Sequence, residues 1–175
     1  LLIQVGGMGV VTIAVAIFMF AGKRIGLKQR WVMQESISAP QVGGIVRMTG
    51  FILKTAFLIE GVGVLLLALR FCPQFGLGRG LWYAVFHSVS AFCNAGFDLM
   101  GVNSPFSSLT DYVGDPLVSN VIAFLIIIGG VGFLTWNDIR EHKLHFRRYR
   151  LQSKLILTTT LALILRGLLF FLLYE

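Results

Sequence analysis

From Leu117 to Trp136 the chain runs for twenty residues without a charged side chain. An α-helix needs about 20 apolar residues to cross a hydrocarbon core about 30 Å thick. Two further windows have that length: Ile45 to Leu69, which carries Arg47, Lys54 and Glu60, and Leu155 to Tyr174, interrupted only by Arg166. Leu1 to Phe20 reads as a fourth span. Ahead of the uncharged run, Asp115 is placed to cap a helix and Pro116 suits its first turn. Of the 175 residues, 56% are hydrophobic and 13% charged, about half the charge of a typical soluble domain. Mean hydropathy is +0.81. The expected class is therefore an all-α polytopic membrane protein. The chain opens without Met inside one apolar segment and stops at Glu175 directly after another, so it is expected to be an internal piece of a longer protein.

The formal net charge of +7 does not point to nucleic acid, because the basic residues sit in blocks between apolar spans. Lys23, Arg24, Lys28 and Arg30 follow the first span, with Arg47 just beyond; Arg140, Lys143, Arg147, Arg148, Arg150 and Lys154 fill the connection from Asn137 to Lys154. The long connection from Phe71 to Pro116 holds Arg79 against Asp98, Asp111 and Asp115. The positive-inside rule makes the first two connections cytoplasmic and the third external. The basic blocks can also meet anionic lipid. Trp31 to Ser38 is expected to form a short surface helix.

Within the external connection, Leu81 to Phe92 reads LWYAVFHSVSAF, apolar and helix-compatible. At about 1.5 Å per residue it covers only about 18 Å, too little to cross. Both flanks are external, so the segment either lies on the surface or dips in and returns. A surface helix would be expected to show a charged face, and this one offers only His87, Ser88 and Ser90. Re-entry accounts for it better. The non-helical Cys93-Asn94-Ala95-Gly96-Phe97 follows directly, and irregular backbone at membrane depth is tolerated only where protein buries it or it lines water. That is the pattern of a pore loop.

The chain also repeats itself. LIQVGGMGVVT from Leu2 matches LIIIGGVGFLT from Leu125 at a constant offset, and more weakly Glu60-Gly61 matches Arg166-Gly167. Tandem units that cannot bury their faces alone imply an array around an axis. Gly6, Gly7, Gly9, Gly129, Gly130 and Gly132 read as close-packing positions in membrane helices, with contact to the re-entrant helix the expected use. Glu60 and Arg166 lie deep in their spans, where an unpaired charge is costly. They are expected to tie neighbouring units together, in one version to each other. Lys54 is close enough to an interface to snorkel. His87 reads as a packed, hydrogen-bonded residue. His142 and His145 are too sparse for a transition-metal site, and Cys72 and Cys93 show neither metal spacing nor a disulfide framework. No nucleophile–base pair or phosphate loop appears, so no enzyme is expected.

FHSVSAFCNAGFDLMG (Phe86 to Gly101) and IGGVGFLTWNDIREHK (Ile128 to Lys143) closely resemble the Trk/Ktr/HKT potassium transporters, nearest the Ktr-type membrane subunit. The resemblance covers essentially the whole chain. It implies span–pore loop–span repeats around a central cation path. Residues 1–22 would then be the closing span of repeat one and residues 23–44 a cytoplasmic loop. Residues 45–136 would be the complete repeat two, with span 45–69, pore helix 81–92, filter 93–97 and span 117–136. Residues 137–154 would form a basic cytoplasmic loop, and residues 155–175 the first span of repeat three. The fragment would hold about four spans and one re-entrant helix. The resemblance places the filter glycine on Gly96, and with it Cys93, Asn94, Ala95 and Phe97 as filter backbone around K+. Asp98 stands just outside, as an outer-mouth carboxylate or an ordinary loop residue. Also implied are Na+ dependence, a homodimer, a cytoplasmic nucleotide-binding regulatory partner, the missing repeats of the same chain, and the bacterial inner (plasma) membrane. No cofactor besides the transported ion is expected. Two other readings stay open: a secondary transporter whose broken helix binds an organic solute, and a membrane scaffold with a surface-lying Leu81–Phe92 helix.

Overall fold

The computed structural model describes residues 2–8, 45–102, 105–143 and 145–174, and in them every regular element is helical. Six α-helices follow in order: α1 Leu2–Met8, α2 Ile45–Phe75, α3 Leu77–Phe92, α4 Pro116–Val131, α5 Phe133–His142 and α6 Leu151–Tyr174. Residues 9–44, with the cytoplasmic loop 23–44 and the surface helix expected at residues 31–38, lie outside the described residues. The chain divides into two units, Leu1–Gly130 and Val131–Glu175.

The first unit is organised by the α2–α3 hairpin. α2 continues past the expected end at Leu69 to Phe75 and stops where Gly76 adopts a φ of 81°, a left-handed angle open to glycine at no steric cost. α3 begins at once, four residues ahead of the expected Leu81, and its first turn closes with Gly80 N–H on the Gly76 carbonyl at 2.8 Å. Gly80 is what lets the helices meet. A Cβ there would stand 2.5 Å from Cys72 Cα, so the backbones touch with no side chain between them. Further along, a Cβ on Gly63 would lie 2.5 Å from Ser88 Oγ, and Ser88 Oγ donates to the Glu60 carbonyl at 2.8 Å. α3 thus runs back down α2 from Cys72 to Glu60, about 18 Å of helix.

The chain then climbs out again. Tyr112 donates its hydroxyl to Gln74 Oε1 at 2.7 Å, and Arg70 forms an ion pair with Asp115, which returns the connection to the end of α2 where α3 began. Leu67 and Phe71 of α2, Ala84 of α3, Met100, Tyr112 and Val118 of α4 make the buried core of this outer half. The Phe71 ring stands edge-on to both His87 and Tyr112, at 5.6 and 5.4 Å. Asp115 Oδ1 accepts from the amides of Leu117 and Val118 at 3.0 and 3.3 Å, capping α4 as its sequence position suggests.

The expected closing span 117–136 is not one helix. It breaks at Gly132, whose φ is 83°, and resumes as α5; the uninterrupted apolar run concealed the break. The second unit holds α5 and α6. Asp138, fully buried, accepts from Arg150 N–H at 3.1 Å and Ser153 Oγ at 2.6 Å. That cap starts α6 at Leu151, four residues before the expected boundary at Leu155. From Leu161 to Phe170 every α6 side chain is exposed, as befits a helix whose surroundings are lipid or other repeats. Among the described residues two helices are long and apolar enough to cross a membrane, Gly50–Phe75 and Leu151–Tyr174, and three if α4 and α5 count as one broken span.

Candidate functional site

The 16 residues of α3 span about 24 Å, and the chain leaves the helix at mid-depth of α2. There the backbone turns on alternating conformations: Asn94 has φ 53° and Gly96 φ 71°, while Ala95 between them does not enter the left-handed region. Alternation of this kind swings successive peptide carbonyls toward one side. The N–H groups are committed inward: Cys93 to Val89 O at 2.9 Å, Asn94 to Ala91 O at 3.0 Å, and Ala95 to Ser90 O at 2.9 Å. Among the described residues the carbonyls of Cys93, Asn94, Ala95 and Gly96 accept no hydrogen bond. Asn94 and Gly96 are exposed and Cys93 and Ala95 half-buried, so these four oxygens face open space at the loop rather than protein donors. Phe97, expected among them, differs. Its carbonyl accepts from Ser90 Oγ at 2.6 Å, which turns that oxygen back into the protein and straps the loop shut.

The surrounding side chains hold the loop from behind. His87, 2% exposed, contacts Tyr83 O through Nδ1 at 2.7 Å and accepts from the Leu99 amide at Nε2, 3.3 Å away. Both nitrogens are thereby used, Nδ1 as the donor, and neither is left for an ion. Asp98 Oδ1 accepts from the Met100 amide at 2.9 Å, so it shapes the turn that leads away from the site. Asn94 Nδ2 reaches the Phe92 and Ile126 carbonyls, each at 3.4 Å. A cavity of about 230 Å³ lies among His87, Ser90, Asn94, Gly96, Asp98 and Ile126. Gly129 forms its own contact: a Cβ there would sit 1.9 Å from Phe92 O. Gly129 therefore seats the end of α3 backbone to backbone, whereas a Cβ on Gly130 comes no nearer than 3.9 Å to Asn94 Nδ2 and one on Gly6 or Gly132 meets nothing within 4 Å, so the close packing expected of these three is not seen.

Glu60 is 4% exposed. Its partner is Gln4 of α1, whose Nε2 lies 2.8 Å from both carboxylate oxygens. Gln4 Oε1 in turn faces Cys93 Sγ at 3.9 Å. Sequence reasoning missed Gln4, although a signal was present: it interrupts the repeat match, standing where the second copy has Ile127. Arg166 is exposed on α6, and Lys54 is exposed on α2.

In the second unit the structure brings together more than the sparse histidines suggested. Asp138, Glu141 and His142 present ligand atoms within 4.8 Å of one another. Asp138 Oδ1 faces Arg150 Nε at 3.4 Å, so a cation already occupies its field. With Tyr149 donating to the Lys143 carbonyl, the group works as a joint between α5 and α6.

Comparison with known proteins gives the family. A family model described as "TrkH: Cation transport protein" matches residues 1–174. The chain is similar to Ktr system potassium uptake protein B of Bacillus subtilis (strain 168), 43% identical over 162 residues, covering 93% of this chain and 35% of that protein. It is also similar to Potassium/sodium uptake protein NtpJ of Enterococcus hirae, 37% identical over 174 residues, covering 99% and 37%. Ktr system potassium uptake protein B of Vibrio alginolyticus is 34% identical over 175 residues, covering 99% and 37%. The chain thus spans about a third of the length of these relatives.

Proposed function

The chain belongs to the TrkH family of cation transport proteins, and on that premise we propose that its re-entrant segment is one wall of a filter for K+ uptake. It is a multi-pass protein of the plasma membrane and not an enzyme. The observation that supports the reading is the set of four consecutive carbonyls, Cys93 to Gly96, that accept no hydrogen bond among the described residues, at the turn that follows the α2–α3 hairpin. A potassium filter replaces the hydration shell with such oxygens. The α3 C-terminus at Phe92 adds its partial negative charge at the same point. Repeats outside this chain supply the other walls. The names of the Enterococcus and Bacillus relatives, potassium/sodium uptake and Ktr system, support Na+ as a second ion and a multi-component assembly. The family resemblance implies a homodimer with a cytoplasmic nucleotide-binding subunit, and the positive-inside rule would put the basic connection from Asn137 to Lys154 on the side where such a subunit would dock.

The test is K+ uptake by the full-length protein in uptake-deficient cells, wild type against Gly96→Ser and Gly96→Asp. Gly96 holds a left-handed φ of 71°, and a Cβ there meets nothing within 4 Å. A side chain therefore strains the backbone by about 1 kcal/mol and projects into open space at the loop. Expected are a weakened K+ affinity and an altered K+/Na+ preference. Unchanged affinity and selectivity in both variants sinks the assignment.

A further inference from the structure

We infer that Gln4 is a positioning residue for the filter, carrying the orientation of the buried Glu60 carboxylate to Cys93, the first residue of the loop. The inference rests on the filter reading above. Three separate elements meet at one side chain. Gln4 comes from α1, which the internal repeat assigns to the closing span of the preceding unit; Glu60 comes from α2; Cys93 begins the re-entrant loop.

The chemistry fixes the direction of the contacts. The Gln4 amide turns its NH₂ to Glu60, with Nε2 at 2.8 Å from each carboxyl oxygen. The amide oxygen is thereby left pointing the other way, where the Cys93 thiol donates to it at 3.9 Å. A flipped amide would set oxygen against oxygen at Glu60 and NH₂ against the thiol. Glu60 thus selects one orientation of Gln4, and that orientation suits the thiol.

Glu60 is itself seated firmly. Its main-chain carbonyl accepts from Ser88 Oγ at 2.8 Å, on the stretch of α2 where Gly63 lets α3 approach. The pair borders a cavity of about 540 Å³ lined mainly by apolar side chains, Phe57, Val64, Trp82 and Phe86 among them. A carboxylate in such a setting is costly unless paired. A purely packing role would be served by a leucine. The polar link does something packing cannot: it couples the angle of one repeat's closing span to the entry of the next repeat's filter.

The experiment uses the full-length protein in uptake-deficient cells, with membrane abundance measured alongside Rb+ uptake. The variants are Gln4→Leu, Glu60→Leu and the double Gln4→Leu/Glu60→Leu. Replacing both partners by apolar groups removes the buried unpaired carboxylate, so the double variant is expected at wild-type abundance. Its KM for Rb+ should rise about fivefold, the worth of one lost hydrogen bond, with a reduced K+/Na+ preference. Gln4→Leu alone should share the KM change and also lose abundance. The inference is overturned if the double variant keeps wild-type KM and K+/Na+ preference, or if all three variants change abundance alone. Neither result touches the filter reading, which the Gly96 variants test separately.

Discussion

Ser90 Oγ donates to the Phe97 carbonyl at 2.6 Å across a separation of seven residues. This one bond closes the non-helical loop onto the helix that precedes it, and Ser90 itself is buried. Ser90→Ala leaves a carbonyl unpaired and should weaken the loop by about 1 kcal/mol, or roughly fivefold in K+ affinity. Ser90→Cys, a weaker donor, should fall between. Concentration-dependent Rb+ uptake by the full-length protein measures it, and equal KM values across the series would refute the strap.

Two neighbouring glycines separate seat from spacer. A Cβ on Gly129 would stand 1.9 Å from Phe92 O, whereas one on Gly130 would come no nearer than 3.9 Å to Asn94 Nδ2. Gly129→Ala must displace the end of α3 and is expected to abolish most uptake. Gly130→Ala should retain activity near wild type, since Ala gains helix propensity over Gly by about 1 kcal/mol. Matched loss in both would mean that the contact does not decide.

Asp115 joins two functions: it caps α4 by accepting from the Leu117 and Val118 amides, and it pairs with Arg70. Desolvation pushes its carboxyl up, but the Arg70 hydrogen bond, the two amides and the Arg70 charge together hold it below its ordinary value. A folded-state pKa below the unfolded one contributes stability that is present above the unfolded value, about 3.9, and lost as pH falls through the folded one. Asp115→Asn should therefore lower the melting temperature at pH 7, and the gap to wild type should close on acidification below about pH 4. Added salt should narrow it too, because the pair faces solvent.

Asp138 is fully buried and accepts from Arg150 N–H and Ser153 Oγ. Asp138→Ala strands both donors and should cost about 2–3 kcal/mol. Asp138→Asn keeps an acceptor for each and should cost less. Thermal unfolding of the full-length protein in detergent gives the order, and a reversal would argue against the joint between α5 and α6.

The helix ending at Phe92 and the irregular turn after it were legible because they depend on what a sequence displays directly: an apolar, helix-compatible run closed by Cys93-Asn94-Ala95-Gly96. The cap at Asp115 was legible for the same reason, being local. What escaped depends on contacts across long separations. The sequence reading began the helix at Leu81 and gave Gly76 and Gly80 no role, and only the backbone contact with Cys72 shows why α3 starts at Leu77. The break at Gly132 was masked by the apolar run that made the span conspicuous. The Ser90 strap takes Phe97 out of the expected carbonyl set, and neither residue type announces it. Glu60 needed a partner, but Gln4 lies 56 positions away, and no pattern at that distance identifies the pair.

The N–H groups of Cys93, Asn94 and Ala95 are all bonded inward, to Val89, Ala91 and Ser90. The loop therefore offers oxygens on its free side and no backbone donors from these three residues. On the filter reading proposed above, an anion such as chloride would find no donor from these three amides, so discrimination by sign of charge would act before any fit to ionic radius comes into play.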